Sequence, residues 1–124
     1  MFLLDSNIVI AASLGIGAAL RDRMAACDEG DMVTSAIVYA EVMFGSVRDK
    51  PPPADELKRL LEEVPVLDFD RAAAEAYASL SFKRASFDRL IAAHALSQGL
   101  TVVTDDVTHF ADVPGLEVEN WMRA

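Results

Sequence analysis

Short apolar runs alternate along this chain with longer segments in which apolar positions return every three or four residues. Residues 2–5, 32–34, 66–67, 101–104 and 117–118 are the short runs, and they are expected to form buried β-strands. Helices are expected over 8–20, 36–47, 54–63, 71–80 and 87–98. Their starts carry suitable N-caps: Ser6 or Asn7 for the first, then Ser35, Asp70 and Ser86, while Gly99 follows the last as a left-handed cap would. Pro51, Pro52 and Pro53 form a stiff connector ahead of the third helix. Strands that alternate with helices indicate a parallel sheet covered on both faces, so the expected fold class is α/β, a three-layer α/β/α sandwich.

The 124 residues suffice for one domain, expected to span 1–124. A chain of this length buries roughly two-thirds of its unfolded surface and needs no covalent staple. With 52% hydrophobic residues and a mean hydropathy of +0.24 it has the material for a filled core. Cys27 is the only cysteine, which excludes an internal disulfide and a thiolate metal cluster within one chain, and suits a reducing, cytoplasmic setting. The longest apolar-rich stretch, 8–20, contains Ser13, Gly15 and Gly17 and is shorter than the roughly 18 residues of a membrane span. Asp5 stands where a signal peptide would carry positive charge. Neither a membrane nor an export role is expected.

Charge changes the picture further. Eleven Lys and Arg face twenty Asp and Glu, a formal net charge of −9, which argues against indiscriminate binding to phosphate backbones. A local basic patch or a bound cation can still supply the attraction that the whole surface lacks.

Four acids stand out by position. Asp5 ends the first apolar run, Glu41 interrupts the apolar helix 36–47, Asp88 opens the helix 87–98, and Asp106 follows the strand 101–104. In open α/β sheets, ligands gather beyond the carboxyl ends of the strands, where Asp5 and Asp106 are expected and where Asp88 can reach from a helix start. Glu41 shares a stripe with Ile37, Ala40 and Phe44, the spacing of a buried face, and an acid there is costly unless paired or coordinating. Converging carboxylates repel by about 4 kcal/mol per close pair at an effective dielectric near 20, so they need protons or a cation to coexist. Oxygen ligands favour Mg²⁺ or Mn²⁺ over zinc. A water on such a cation is suited to in-line attack on a phosphodiester. Each acid alone has a bland explanation, as a cap, a dipole partner, a turn residue or half of an ion pair; the set of four does not.

His94 and His109 read as packed or surface residues rather than catalysts. No Ser-His-Asp signature is present, and Gly15-Ile16-Gly17 lacks the third glycine of a dinucleotide loop.

Taken in order, Leu3-Leu4-Asp5-Ser6-Asn7, the segment 35–41, Phe87-Asp88-Arg89-Leu90-Ile91-Ala92-Ala93, Val103-Thr104-Asp105-Asp106 with Phe110, and the ending Glu119-Asn120-Trp121 resemble PIN-domain ribonucleases, the VapC toxin family above all. The resemblance runs over nearly the whole chain. It implies a Mg²⁺- or Mn²⁺-dependent endoribonuclease, usually dimeric, that is blocked by a VapB-type antitoxin and acts on tRNA or another structured RNA. By motif, Asp5, Glu41, Asp88 and Asp106 correspond to the acidic, metal-holding quartet, with Ser6 or Asn7 and Thr104 in support; Asp105 stands beside the final acid. Many relatives have threonine where this chain has Ser6, and many carry a longer segment before the third acid, so the substrate-facing rim is expected to differ. Lys83, Arg84 and Arg89 flank Asp88 and are candidates for RNA phosphate contacts. Two other readings compete. A phosphoacceptor receiver domain would want an acidic pair after the first strand and a late lysine, which are missing; a PIN-like module that only binds protein would be expected to have lost one of the four acids.

Overall fold

The computed structural model describes residues 1–81 and 86–124. Its sheet has five strands, β1 Phe2–Leu4, β2 Met32–Ser35, β3 Val66–Leu67, β4 Thr101–Val103 and β5 Val118–Glu119, in the order β3-β2-β1-β4-β5 with every pairing parallel. Six α-helices connect them: α1 Ser6–Leu14, α2 Ala18–Ala25, α3 Ala36–Ser46, α4 Ala54–Leu61, α5 Arg71–Ser79 and α6 Phe87–Gln98. The α/β/α sandwich expected from the alternating pattern is the fold observed. Successive strands move outward from β1 to β3, and the chain then crosses back to place β4 on the other side of β1. A receiver domain has the order 2-1-3-4-5 instead, so this sheet excludes that alternative.

The central strands are apolar because they are buried on both faces. Leu3, Leu4, Val102 and Val103 are wholly inaccessible, and Ile8, Val38, Leu57, Ile91 and Ala92 close over them from the helices. At the outer edge Trp121 is also buried; its ring meets Phe2 edge-on with centroids 4.8 Å apart, and its indole N–H donates to Glu119 at 2.9 Å.

Two local expectations are corrected. The helix expected over 8–20 is broken into α1 and α2, because Gly15 ends α1 in the left-handed region at φ +69° and Gly17 turns the chain at φ +97°. Asp5, rather than Ser6 or Asn7, caps α1: its backbone is extended and its Oδ1 accepts the Ser6 N–H at 2.8 Å. The caps Ser35, Asp70 and Ser86 stand as expected, and Gly99 closes α6. Among the described residues, no helix is long and apolar enough to cross a membrane.

Candidate active site

The crossover that puts β4 beside β1 leaves a crevice beyond the carboxyl ends of these two strands, the switch point at which α/β sheets bind ligands. The register pairs Leu4 with Val103, so the next residues, Asp5 and Thr104, emerge side by side. Both are buried, Asp5 at 3% exposure and Thr104 at 0%.

Thr104 is the organising residue. Its hydroxyl donates to Asp5 Oδ2 at 2.8 Å and accepts from the Asp106 N–H at 3.1 Å and from Asn7 Nδ2 at 3.3 Å. One donor and two acceptor sites are the full capacity of a hydroxyl. Asn7, in the first turn of α1, also accepts the Asp105 N–H at 3.1 Å through Oδ1. The loop after β4 is thus tied to the start of α1, and Asp5 is fixed between them. Ser6 contributes its backbone N–H.

Asp106 follows that loop and Asp88 lies in the first turn of α6, and one ring joins them. His109 Nδ1 is 3.1 Å from Asp88 Oδ2, and Nε2 is 3.1 Å from Asp106 Oδ2. The ring thus stands between the two acids, one nitrogen toward each. Asp105 faces away from them, its Oδ1 lying 3.4 Å from Asn120 Nδ2. Beside Asp88 opens a shallow cleft of about 330 Å³, lined by Ser86, Asp88, Arg89, Thr108, His109 and Asp112.

Glu41 projects toward the same place from the second turn of α3. The stripe Ile37, Ala40 and Phe44 is not the buried face of this helix: Val38 and Val42 are buried, whereas Ala40 is exposed and Phe44 is 61% exposed. α3 is apolar almost all round, so periodicity could not choose its inner side. Glu41 lies on the edge between the two faces. Its Oε1 is buried with no hydrogen-bond partner. No arginine meets it in an ion pair among the described residues.

Electrostatics link the acids. Burial pushes the Glu41 carboxyl up to about 7, and the charges of Asp5 and Asp88 push the same way. Burial also raises Asp5 above its ordinary value, although the Ser6 N–H and the Thr104 hydroxyl pull it down; Asp88 adds to the rise and His109 opposes it. Asp5, Glu41 and Asp88 therefore sense one another, and His109 connects Asp106 to the group.

Among the described residues, no three His, Cys, Asp or Glu side chains stand as a ready-made ligand cluster for a metal ion. The donor chemistry nonetheless fits a hard divalent cation. The four acids offer carboxylate oxygens, and Glu41 Oε1 is a buried acceptor that meets no donor among the described residues.

The basic candidates are placed differently. Arg89 is held by Asp112 through two parallel bonds of 2.7 and 2.6 Å, which draws the Asp112 carboxyl below its ordinary value. Lys83 and Arg84 lie outside the described residues. His94 is fully buried, as its packed reading expected; its Nδ1 is 2.7 Å from Ser35 Oγ, and burial holds the ring below its ordinary value. His109 is the site residue that sequence reasoning missed. The available signal was its spacing three residues after Asp106, within reach of that acid across a single turn.

The fold and this acid-lined crevice define a PIN domain, and the chain belongs to that family, whose model matches residues 2–116. Within it, the chain is a member of the VapC toxin ribonucleases. It is 31% identical to the tRNA(fMet)-specific endonuclease VapC of Shigella flexneri, over 97% of both chains. Among solved structures it resembles the DNA-bound VapBC of Salmonella typhimurium (29% identity, TM-score 0.77, 97% of each chain). The VapBC2 of Rickettsia felis, at 23% identity and TM-score 0.84 over 97% of this chain and 98% of that one, shares the fold.

Proposed function

We propose that this chain, acting as a single PIN domain over 1–124, is a Mg²⁺- or Mn²⁺-dependent endoribonuclease and the toxin of a toxin–antitoxin pair. What supports the reading is the electrostatic coupling of Glu41 to Asp5 and Asp88 and the link from Asp88 to Asp106 through His109, together with a buried Glu41 oxygen that meets no donor among the described residues. These four acids would hold the cation. Bound there, it would supply an activated water and neutralise charge on the phosphodiester. Thr104 and Asn7 keep Asp5 and the Asp106 loop in register, so the first and last acids are presented together. Burial keeps bulk water from Asp5 and from Glu41 Oε1, which strengthens their pull on a cation.

The partner class follows from the relatives. The Salmonella structure is a VapBC assembly, and a gonococcal FitAcB structure aligns at 27% identity and TM-score 0.76 over 100% of each chain. A VapB-type antitoxin is therefore the proposed inhibitor. A homodimer is proposed as well, and the exposed Phe44 on α3 and Val47 at its C-cap give it apolar surface to use. Cytoplasmic residence fits the unpaired Cys27. The name of the Shigella relative makes tRNA the first substrate to try.

The test is expression of the chain alone beside Asp5→Asn, with new RNA 5′ ends mapped across all transcripts. Discrete cuts only with the wild type, reproduced by purified protein with Mg²⁺ and stopped by chelator, are expected. Identical maps from soluble wild type and variant would overturn the catalytic reading in favour of a protein-binding PIN module.

A further inference from the structure

Three of the four acids are fixed by hydrogen bonds or ion pairs. Asp5 is held by Ser6 and Thr104, and Asp88 and Asp106 are held by His109. Glu41 is different: among the described residues its buried Oε1 meets no donor, so its place depends on how α3 as a whole sits against its neighbours. α3 packs on α6, and two pairs of residues link them. In one, Glu41 faces the charge of Asp88. In the other, Ser35 meets His94.

These contacts run in opposite senses along the helices. Glu41 lies six residues after Ser35 on α3, and His94 lies six residues after Asp88 on α6. Six residues of helix span about 9 Å, so each contact is a helix segment away from the other. At the Glu41–Asp88 end the charge of Asp88 acts against ionisation of Glu41. At the Ser35–His94 end a buried 2.7 Å hydrogen bond holds the two helices together. Ser35 Oγ also accepts the Ile37 N–H at 3.0 Å, so the atom that His94 grips is the N-cap of α3 itself. Ser35 and His94 are both 0% exposed, and water does not compete for the bond. On its other side the His94 ring is met edge-on by Phe69, with centroids 5.5 Å apart, which limits its freedom to turn.

We infer that His94 is a positioning residue: by clasping Ser35 at the head of α3 it sets the distance between Glu41 and Asp88, and through that distance the affinity of the acidic site for its cation. This deepens the proposed function and rests on it, because the cation is part of that reading. His94 touches neither substrate nor cation. It acts through the pose of a helix.

The test compares His94→Phe, which fills the space without the polar atom, with His94→Asn, which returns a polar atom near the position of Nδ1. Mn²⁺ titration calorimetry and the backbone amide shifts of Glu41 and Asp88 in chelated protein are the readouts. His94→Phe is expected to weaken Mn²⁺ binding by about 10-fold, the scale of lost supporting contacts around metal sites. It should also move the Glu41 and Asp88 amides, while His94→Asn restores most of both. Equal behaviour of the two variants, whether both like wild type or both equally impaired in step with melting temperature, would overturn the inference and leave His94 as packing. If wild type itself takes no Mn²⁺, the cation reading falls; the amide shifts then still decide whether the clasp sets the Glu41–Asp88 separation. Should His94→Phe not fold, Ser35→Ala and Ser35→Thr repeat the comparison from the other side of the bond, with threonine keeping the hydroxyl.

Discussion

At the scale of single residues, the site combines acids held by hydrogen bonds with one acid, Glu41, whose buried Oε1 meets no donor among the described residues. Asp5→Asn or Asp88→Asn should abolish RNA cleavage while circular dichroism stays that of the wild type, because each removes a charge and not a packing group. Thr104→Val keeps the shape but removes the hydroxyl that joins Asp5, Asn7 and the Asp106 N–H. A loss of about 10- to 100-fold in cleavage rate or cation affinity is expected, as for other supporting partners of metal ligands, and titration of the variant with Mn²⁺ checks it. Glu41 makes stability depend on pH. Its folded value of about 7 lies above the ordinary 4.5, so the folded state binds the extra proton between those values. The stabilisation is fully present below pH 4.5 and is lost as pH rises through about 7. In chelated protein the melting temperature should therefore fall across that window, and Glu41→Gln, which cannot ionise, should flatten the fall. A Glu41→Gln variant whose melting temperature tracks wild type over the same range would refute this account.

Elements are where the sequence was most legible and where its limits had physical causes. Strand positions and most caps could be read because apolar runs are bounded by turn formers, and because Ser35, Asp70 and Ser86 each have a side-chain oxygen suited to bond a helix N–H. The break between α1 and α2 was harder to see, since both glycines stand in an apolar stretch that periodicity alone extends through them. Backbone conformation decides the matter: Gly17 sits at φ +97°, and a Cβ there would lie 3.2 Å from Met122 Cε. Gly17→Ala should cost about 1–2 kcal/mol in denaturant unfolding, from the positive φ together with the close contact, with Mn²⁺ affinity unchanged. The acidic quartet was visible through its places at element ends, together with a family resemblance. Its internal wiring was not. Nothing in sequence spacing says that Thr104 falls beside Asp5; that comes from the register of β1 against β4, which pairs residues about a hundred positions apart. The inner face of α3 was misread for the opposite reason, because a helix apolar all round gives no contrast to read.

For the molecule as a whole, the switch-point crevice gathers negative charge onto a protein that is already acidic, so a cation should stabilise the folded state. At a hundredfold excess over its Kd, a ligand specific for the native form adds about 2.7 kcal/mol. Mg²⁺ should accordingly raise the melting temperature, chelator should reverse the rise, and Asp5→Asn should remove the response. The far edge of the sheet offers a means of watching this. Trp121 is the only tryptophan, and it is sealed between Phe2 and Arg23, whose guanidinium carbon lies 5.1 Å from the ring centroid. Phe2 begins the strand that delivers Asp5, so the indole reports on whether that strand is in place. The chain thus carries its own optical gauge: emission from Trp121 should shift when its packing against Phe2 opens.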